Sequence, residues 1–265
     1  MTAETHVADA AAEASPAPAP DTDEPLIRCA GLHKWYGGVH ALKNVDLDFG
    51  YNEVLGLVGD NGAGKSTLIK ILSGAHRQDS GDIFFQGKRV TFSSPREAMD
   101  LGIETIYQYN ALAPTLSIER NIFIGREPVT ARIGRIGNMD FRKMGREAME
   151  ALRDVALHLR SPSTPVEELS GGERQGVTIA RAMYFKTKVL ILDEPTNHLS
   201  IKETNKVLGW VEGLKAQGIT SVFITHNLHH VYPIADRLCV LSRGEKAAEM
   251  PKSETSIEEL TDLIV

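Results

Sequence analysis

Short apolar runs alternate along the chain with segments of helical periodicity. Runs of strand length lie at residues 53–58, 189–192 and 221–225, and helices are predicted at residues 66–72 and 202–215. Strands that alternate with helices predict an α/β fold whose mainly parallel sheet is covered on both faces. Phosphate ligands bind such sheets at the carboxyl ends of the strands, so the chemistry is expected there.

The remaining elements follow from turn signals and periodicity. Strands are predicted at residues 26–30, 45–49, 102–107 and 237–241, with a turn at residues 33–38 and a hairpin at residues 82–92. Ser94 before Pro95 predicts a helix start. Residues 115–185 are predicted to be mostly helical, because six apolar residues recur there at the spacing of a core face. These residues are Phe141, Met144, Ala148, Leu152, Val155 and Leu159.

Charge is unevenly distributed along the 265 residues, whose formal net charge is −6. Six acidic residues precede the first basic residue, Arg28, and setting them aside leaves 29 acidic residues against 29 basic ones. The chain from Arg28 onwards is therefore neutral overall, whereas dedicated nucleic-acid binders are usually basic, so this function is disfavoured. Residues 1–24 are rich in alanine, proline and acid, and such a composition predicts a disordered tail.

Two cysteines, Cys29 and Cys239, lie far apart in apolar strand-like contexts. They are predicted to be buried free thiols in a reducing compartment. The sequence shows neither a secretory leader nor an apolar run of 18 residues, so a membrane role is expected only through a partner.

The most informative stretch fits the P-loop pattern G-x-x-x-x-G-K-[ST] at every fixed position. It consists of Gly59, Asp60, Asn61, Gly62, Ala63, Gly64, Lys65, Ser66 and Thr67. A strand, a glycine-rich turn and a helix start place backbone N–H groups around an anion. Lys65 could then reach the β- and γ-phosphates of a nucleoside triphosphate, and the Ser66 hydroxyl could bind Mg²⁺.

An acidic pair, Asp193 and Glu194, ends the apolar run at residues 189–192. Beside the P-loop, Asp193 would hold Mg²⁺ directly or through water, and Glu194 could polarise the attacking water. Ser170, Gly171 and Gly172 form a second anion-binding helix start. One γ-phosphate does not need two such helix starts in the same chain, so the second is expected to bind the nucleotide of another subunit. The alternative is an ordinary serine-capped helix.

In these motifs the chain resembles the ATP-binding cassette (ABC) ATPases over roughly residues 26–250. The resemblance implies a P-loop NTPase (RecA-like) core with an antiparallel β subdomain and a helical subdomain inserted at about residues 110–185. A nucleotide-binding domain is therefore expected at residues 25–250, followed by an extension at residues 251–265. Residues 59–66 match the Walker A motif, and residues 189–194 match Walker B with its catalytic glutamate.

The same resemblance implies roles for further residues. Gln108 matches the glutamine that touches Mg²⁺ and the attacking water, and His226 matches the switch histidine that contacts the γ-phosphate. Tyr36, rather than Trp35, matches the aromatic residue that stacks on adenine. Ser170, Gly171 and Gly172 match the signature motif, which closes over ATP bound to the opposite subunit. His229 and His230 could suggest a metal site near His226, but a solvated helix face is the favoured interpretation.

Residues 59–74, 102–108, 113–123 and 226–237 are similar to monosaccharide importers of the fructose, ribose and xylose type. No internal repeat is visible, so a single cassette that forms a homodimer is expected. Its implied partners are an integral membrane permease and, indirectly, a periplasmic or extracellular sugar-binding protein, with no nucleic acid. The expected location is peripheral, on the cytoplasmic face of the cell membrane.

A second hypothesis comes from residues 193–199, which resemble soluble cassette proteins that act on ribosomes. Ser200 also departs from most cassettes, which carry the D-loop aspartate at that position, although sugar importers of this type often lack that acid too. Such soluble proteins usually hold two cassettes and a charged linker, and the sequence shows neither. The importer is therefore the favoured hypothesis.

Overall fold

The computed structural model describes residues 24–107, 112–133 and 136–264. The predicted tail therefore lies almost entirely outside the described residues. Within them the strands are β1 (Ile27–Tyr36), β2 (Val39–Phe49), β3 (Val54–Val58), β4 (Ser80–Phe85), β5 (Lys88–Val90), β6 (Ile103–Ile106), β7 (Val129–Ile133), β8 (Ile136–Met139), β9 (Val189–Asp193), β10 (Thr220–Ile224), β11 (Arg237–Ser242) and β12 (Glu245–Pro251). The helices are α1 (Lys65–Leu72), α2 (Pro95–Leu101), α3 (Ile118–Phe123), α4 (Phe141–Asp154), α5 (Gly171–Tyr184), α6 (Ile201–Ala216), α7 (Leu228–Val231) and α8 (Ile257–Ile264).

A six-stranded sheet forms the centre, with the strand order β12-β11-β3-β10-β9-β6. Its pairings are parallel except at the β12 edge, which is antiparallel to β11. The predicted α/β fold with a mainly parallel sheet is therefore confirmed. Strand β12 was not predicted, because its residues alternate between exposed and half-buried and give no apolar run.

Both faces of this sheet are buried, so its central strands are continuous apolar runs and do not alternate between apolar and polar residues. In β9, Leu190 and Leu192 enter one core cluster, whereas Val189 and Ile191 enter the other. The first cluster lies with α4, α5 and α6, and the second with α1 and the antiparallel sheet. Helix α8, in the predicted C-terminal extension, buries Leu260 in the first cluster.

The antiparallel sheet has the order β2-β1-β4-β5. Strands β1 and β2 extend further than predicted, so residues 33–36 are strand and the turn is confined to Gly37 and Gly38. Both cysteines are buried and free, as predicted. Burial raises the pKa of Cys239 to about 12, which makes its thiol unreactive.

The segment between β6 and β9 differs from the prediction in two respects. It contains α3, α4 and α5, but it also contains the hairpin β7–β8, in a stretch where β-branched residues favour strand over helix. Met144, Ala148, Leu152 and Val155 are buried as expected, whereas Phe141, the first residue of α4, is 51% exposed. The buried face of α4 therefore begins at Met144, one turn later than predicted, and Leu159, the last of the six residues, lies beyond the end of α4 and is half-buried.

A buried ion group joins this segment to the central sheet. Glu104 of β6 is buried, and its carboxylate lies 3.0 Å from Arg126 Nη1 and 3.8 Å from Arg181 Nε of α5. Burial lowers the pKa of Arg181, and the charge of Glu104 opposes that effect. Buried charges require such pairing, so this group ties α5 to the edge strand. Across the described ranges, every helix is too short or too polar to span a lipid bilayer.

Candidate active site

The P-loop connects β3 to α1 through three glycines with positive φ. Gly64 caps α1 in the left-handed conformation at φ 106°, and a Cβ there would lie 2.8 Å from Leu42 Cδ2. At Gly59 a Cβ would lie 2.2 Å from the carbonyl oxygen of Leu241 in β11. Gly62 has φ 83° and open space around it, so its requirement is conformational only. The loop can therefore pass close to β2 and β11 only because residues 59 and 64 have no side chain.

The Lys65 side chain is buried within this loop. Its Nζ donates hydrogen bonds to the carbonyl oxygens of Gly59, at 2.6 Å, and Asp60, at 2.9 Å. Burial lowers the pKa of Lys65, and the charges of Glu194, Asp193 and Asp60 oppose that effect. A phosphate would offer this ammonium charge-assisted hydrogen bonds in place of those to neutral carbonyl oxygens. Asn61 and Ser66 are exposed, Ala63 is buried, and Thr67 is half-buried.

Asp193 ends β9, as predicted. Burial raises its pKa, the adjacent Glu194 raises it further, and Lys65 and Lys70 oppose the rise. Such a carboxylate would be stabilised by a cation, and carboxylate and hydroxyl oxygens are the donors that Mg²⁺ prefers. The donor set of Asp193 and the exposed Ser66 hydroxyl therefore fits Mg²⁺. Gln108, the third predicted ligand, lies outside the described residues.

Glu194 is held in position by the strand beside it. Thr225 donates a hydrogen bond from Oγ1 to Glu194 Oε2 at 2.9 Å, and the backbone N–H of His226 donates to Oε1 at 3.1 Å. His226 Nδ1 lies 2.7 Å from the same oxygen. A carboxylate only accepts hydrogen bonds, so the ring proton lies on Nδ1 and leaves Nε2 for another partner. Glu194 itself has φ 51°, an uncommon value for a residue with a side chain.

The predicted signature residues begin α5. Ser170 caps this helix, and its Oγ accepts from the Glu173 N–H at 3.2 Å while Glu173 Oε2 accepts from the Ser170 N–H at 2.8 Å. The contacts of Gly171 and Gly172 run towards α6, because a Cβ would lie 2.7 Å from Leu199 at Gly171 and 2.8 Å from Glu203 at Gly172. These three residues thus face a different neighbourhood from the P-loop.

Tyr36 ends β1, and its ring is 39% exposed. Its hydroxyl lies 2.6 Å from Nδ1 of His76, which follows α1. Trp35 is instead stacked on His40, with ring centroids 4.0 Å apart. One face of Trp35 is therefore already covered, and the Tyr36 ring has the Lys34 ammonium 5.6 Å from its centroid. Tyr36 remains the predicted residue to stack on a base.

Sequence reasoning missed two groups of polar residues around this centre. Thr225 is almost fully buried, yet it received no predicted role; a polar residue at the end of an apolar strand was the available signal. His230 was expected on a solvated face, whereas it is half-buried between Thr196 Oγ1, at 2.9 Å, and Asn227 Nδ2, at 3.2 Å. His229 is exposed.

The structure thus brings Lys65, Asp193, Glu194 and His226 to one edge of the central sheet, at the carboxyl ends of β3, β9 and β10. The family model described as ABC transporter matches residues 42–197, which include the P-loop, the signature residues and the acidic pair.

Curated relatives extend this match beyond the motifs. The xylose/arabinose import ATP-binding protein of Sulfolobus acidocaldarius is 46% identical over 90% of this chain and 93% of its own length. The fructose import ATP-binding protein of Rhizobium meliloti is 44% identical over 88% and 91%. A ribose import ATP-binding protein of Streptomyces avermitilis is 42% identical over 91% of this chain, which spans only 45% of that relative.

Solved structures show the same fold. The crystal structure of a nucleotide-free ATP-binding cassette from an ABC transporter matches with a TM-score of 0.77 at 26% identity, over 90% of this chain and 94% of that one. A dimeric structure of a bacterial ABC transporter cassette matches with a TM-score of 0.72 at 26% identity, over 85% and 98%.

Proposed function

The chain belongs to the ABC transporter family, and we propose that it is the ATP-hydrolysing subunit of a monosaccharide importer. The observation that carries the proposal is the convergence of Lys65, Asp193 and Glu194 at one P-loop, with the signature residues facing elsewhere. Residues 25–250 would form the cassette, with residues 1–24 as a tail and 251–265 as an extension. The importer relatives favour this function over the ribosome or nucleic-acid alternative.

Triphosphate binding follows from the loop geometry. The N–H groups of residues 64–67 form the start of α1 and would donate to phosphate oxygens, and the Lys65 ammonium would exchange its carbonyl partners for phosphate oxygens. Tyr36 would stack on the adenine. Ser66, Asp193 and Gln108 would hold Mg²⁺, which when bound offsets the negative charge of the phosphates.

Hydrolysis would depend on Glu194. Its carboxylate, oriented by Thr225 and His226, would polarise the water that attacks the γ-phosphorus. His226 Nε2, left available by the Nδ1 contact, would face the γ-phosphate. Orientation of the base by neighbouring side chains keeps the attacking water in line.

The signature residues would act on a second cassette. Two ATP molecules would each lie between one subunit's P-loop and the other subunit's Ser170, Gly171 and Gly172. Because ATP then bridges the subunits, binding would close the dimer and hydrolysis would weaken it. A homodimer is the expected assembly. The homodimer would bind a permease on the cytoplasmic face of the membrane. It would power the uptake of a sugar that an extracellular or periplasmic sugar-binding protein delivers to the permease.

The experiment is affinity purification of tagged Glu194→Gln from gently solubilised source cells in the presence of ATP. We expect a polytopic membrane protein to copurify, because the variant would hold ATP without hydrolysing it. Lys65→Ala is the matched control for nucleotide dependence. Ribosomal proteins in place of a permease would contradict the importer function.

A further inference from the structure

The signature residues and the start of α6 meet at one carboxylate, that of Glu203. Its Oε1 accepts a hydrogen bond from the Gly172 N–H at 3.0 Å. Its Oε2 accepts from the Ser200 N–H at 3.0 Å and from the Ser200 hydroxyl at 2.8 Å. Glu203 therefore caps its own helix with one oxygen and the signature helix with the other.

This carboxylate is charged at neutral pH. The Gly172 hydrogen bond, followed by those from Ser200 and the Ser170 hydroxyl, lowers the pKa of Glu203 to about 2. Hydrogen bonds rather than burial cause the shift. A permanent negative charge thus lies against the N-terminus of α5, where an incoming anion would bind.

Gly172 is shaped for this neighbour. It is buried, and a Cβ there would lie 2.8 Å from Glu203 Cγ and 3.0 Å from its Cβ. Any side chain at Gly172 would displace α6 or the Glu203 stem. The absence of a side chain at Gly172 therefore lets Glu203 pack against the start of α5 and leaves the Gly172 N–H accessible to it.

We propose that Glu203 is a built-in competitor for the γ-phosphate of the partner's ATP: in the separate cassette it occupies the Gly172 N–H, a signature-motif donor that the phosphate takes when the dimer closes. The inference rests on the split site described above. It concerns the ATP concentration at which closure occurs, and it does not alter the roles of the P-loop residues.

Two physical features support an exchange rather than a permanent bond. A backbone N–H makes one good hydrogen bond, so a phosphate and a carboxylate cannot both use that of Gly172. The Oε2 contacts with Ser200 anchor the side chain, so Oε1 can leave Gly172 without unfolding the cap of α6. Closure then has to displace one charge-assisted hydrogen bond, which raises the ATP concentration it requires.

The experiment compares Glu194→Gln with Glu194→Gln/Glu203→Gln by sedimentation velocity over an ATP titration. Glutamine keeps the size of the side chain and an oxygen acceptor but removes the charge. Glu212→Gln in the same background is the matched control, because Glu212 is exposed on α6 nine residues later, about 13 Å along the helix. ATP affinity of each monomer, measured with a fluorescent nucleotide at low protein concentration, reports the P-loop separately.

We expect Glu203→Gln to lower the ATP concentration for half-maximal dimerisation about tenfold, with monomer affinity and the Glu212→Gln control unchanged. An unshifted or higher midpoint, in a parent that does dimerise, would overturn this inference alone and make Glu203 a purely structural cap. A parent that binds ATP but stays monomeric at saturation would overturn the split site and this inference together.

Discussion

The starts of α1 and α5 are both helix N-termini that we propose to bind phosphate, yet they are built in opposite ways. Helix α1 begins at a left-handed glycine, with no side-chain cap and no acidic residue in its first turn. Helix α5 has a serine cap, an acidic first turn and a second carboxylate from α6. Among the described residues, no side chain caps the N–H groups of the first N-terminus, whereas at the second the N–H groups of Gly172 and Glu173 donate to Glu203 and Ser170.

This difference matches the proposed division of labour. The P-loop would bind ATP in a single cassette, so uncapped N–H groups there cost stability that the nucleotide restores. The signature helix would meet phosphate only when a second cassette arrives, so internal caps stabilise it until then. Variants at the nucleotide site and at the start of α5 can test this division separately.

Glu194→Gln should have the largest effect on turnover. We expect ATP hydrolysis to fall by a factor of about 10²–10⁴, because the residue that polarises the water is neutralised, while ATP still binds. Steady-state hydrolysis and nucleotide titration separate the two properties. Hydrolysis at the wild-type rate would show that another residue is the base.

Lys65→Ala should weaken ATP binding at the P-loop, because it removes the buried ammonium group. We expect ATP affinity to fall by about 3 kcal/mol, or roughly 100-fold, because charge-assisted hydrogen bonds to phosphate are lost. Isothermal titration calorimetry measures this change. Lys70→Ala, an exposed lysine on the same helix, is the control, and equal losses in both variants would contradict a specific role for Lys65.

Thr225→Val keeps the side-chain shape but removes both hydrogen bonds of Oγ1, the one donated to Glu194 and the one accepted from the Asn227 N–H. We expect kcat to fall about tenfold with KM unchanged, since Thr225 orients the base without touching the nucleotide. Thr187→Val is a matched control, because this buried hydroxyl has no hydrogen-bond partner among the described residues. A rise in KM instead would place Thr225 in nucleotide binding.

Glu203→Gln should have the smallest effect on a single cassette, and it depends on pH. A depressed pKa contributes stability above the unfolded pKa, near 4.5, and that contribution is lost as the pH falls towards 2. We expect Tm of the variant to fall less steeply than that of wild type between about pH 5 and pH 2. Thermal unfolding across this range measures the slope, with Glu212→Gln as control. Parallel slopes in all three proteins would show that Glu203 is not held as described.

The sequence was sufficient where the chemistry is local. The P-loop, the acidic pair at the end of β9 and the start of α5 each depend on neighbouring residues, so spacing alone placed them. The contact between Glu203 and Gly172 joins residues 31 positions apart and arises from the packing of α5 against α6, which no motif encodes. Thr225 was missed for the same reason, because its hydrogen bond crosses from β10 to the residue after β9. The hairpin β7–β8 was missed because a helical period on both sides was extended through it.

The proposal that the P-loop binds ATP while the start of α5 acts on the partner's ATP is tested most directly by sedimentation velocity at saturating ATP. The two proteins to compare are Glu194→Gln and Glu194→Gln/Ser170→Arg. Both proteins should bind ATP, because both keep the P-loop. Glu194→Gln should sediment as a dimer and the double variant as a monomer, because the arginine would block the signature helix from the partner's nucleotide. A double variant that still dimerises with ATP would contradict the account, since α5 would then have no part in closing the dimer.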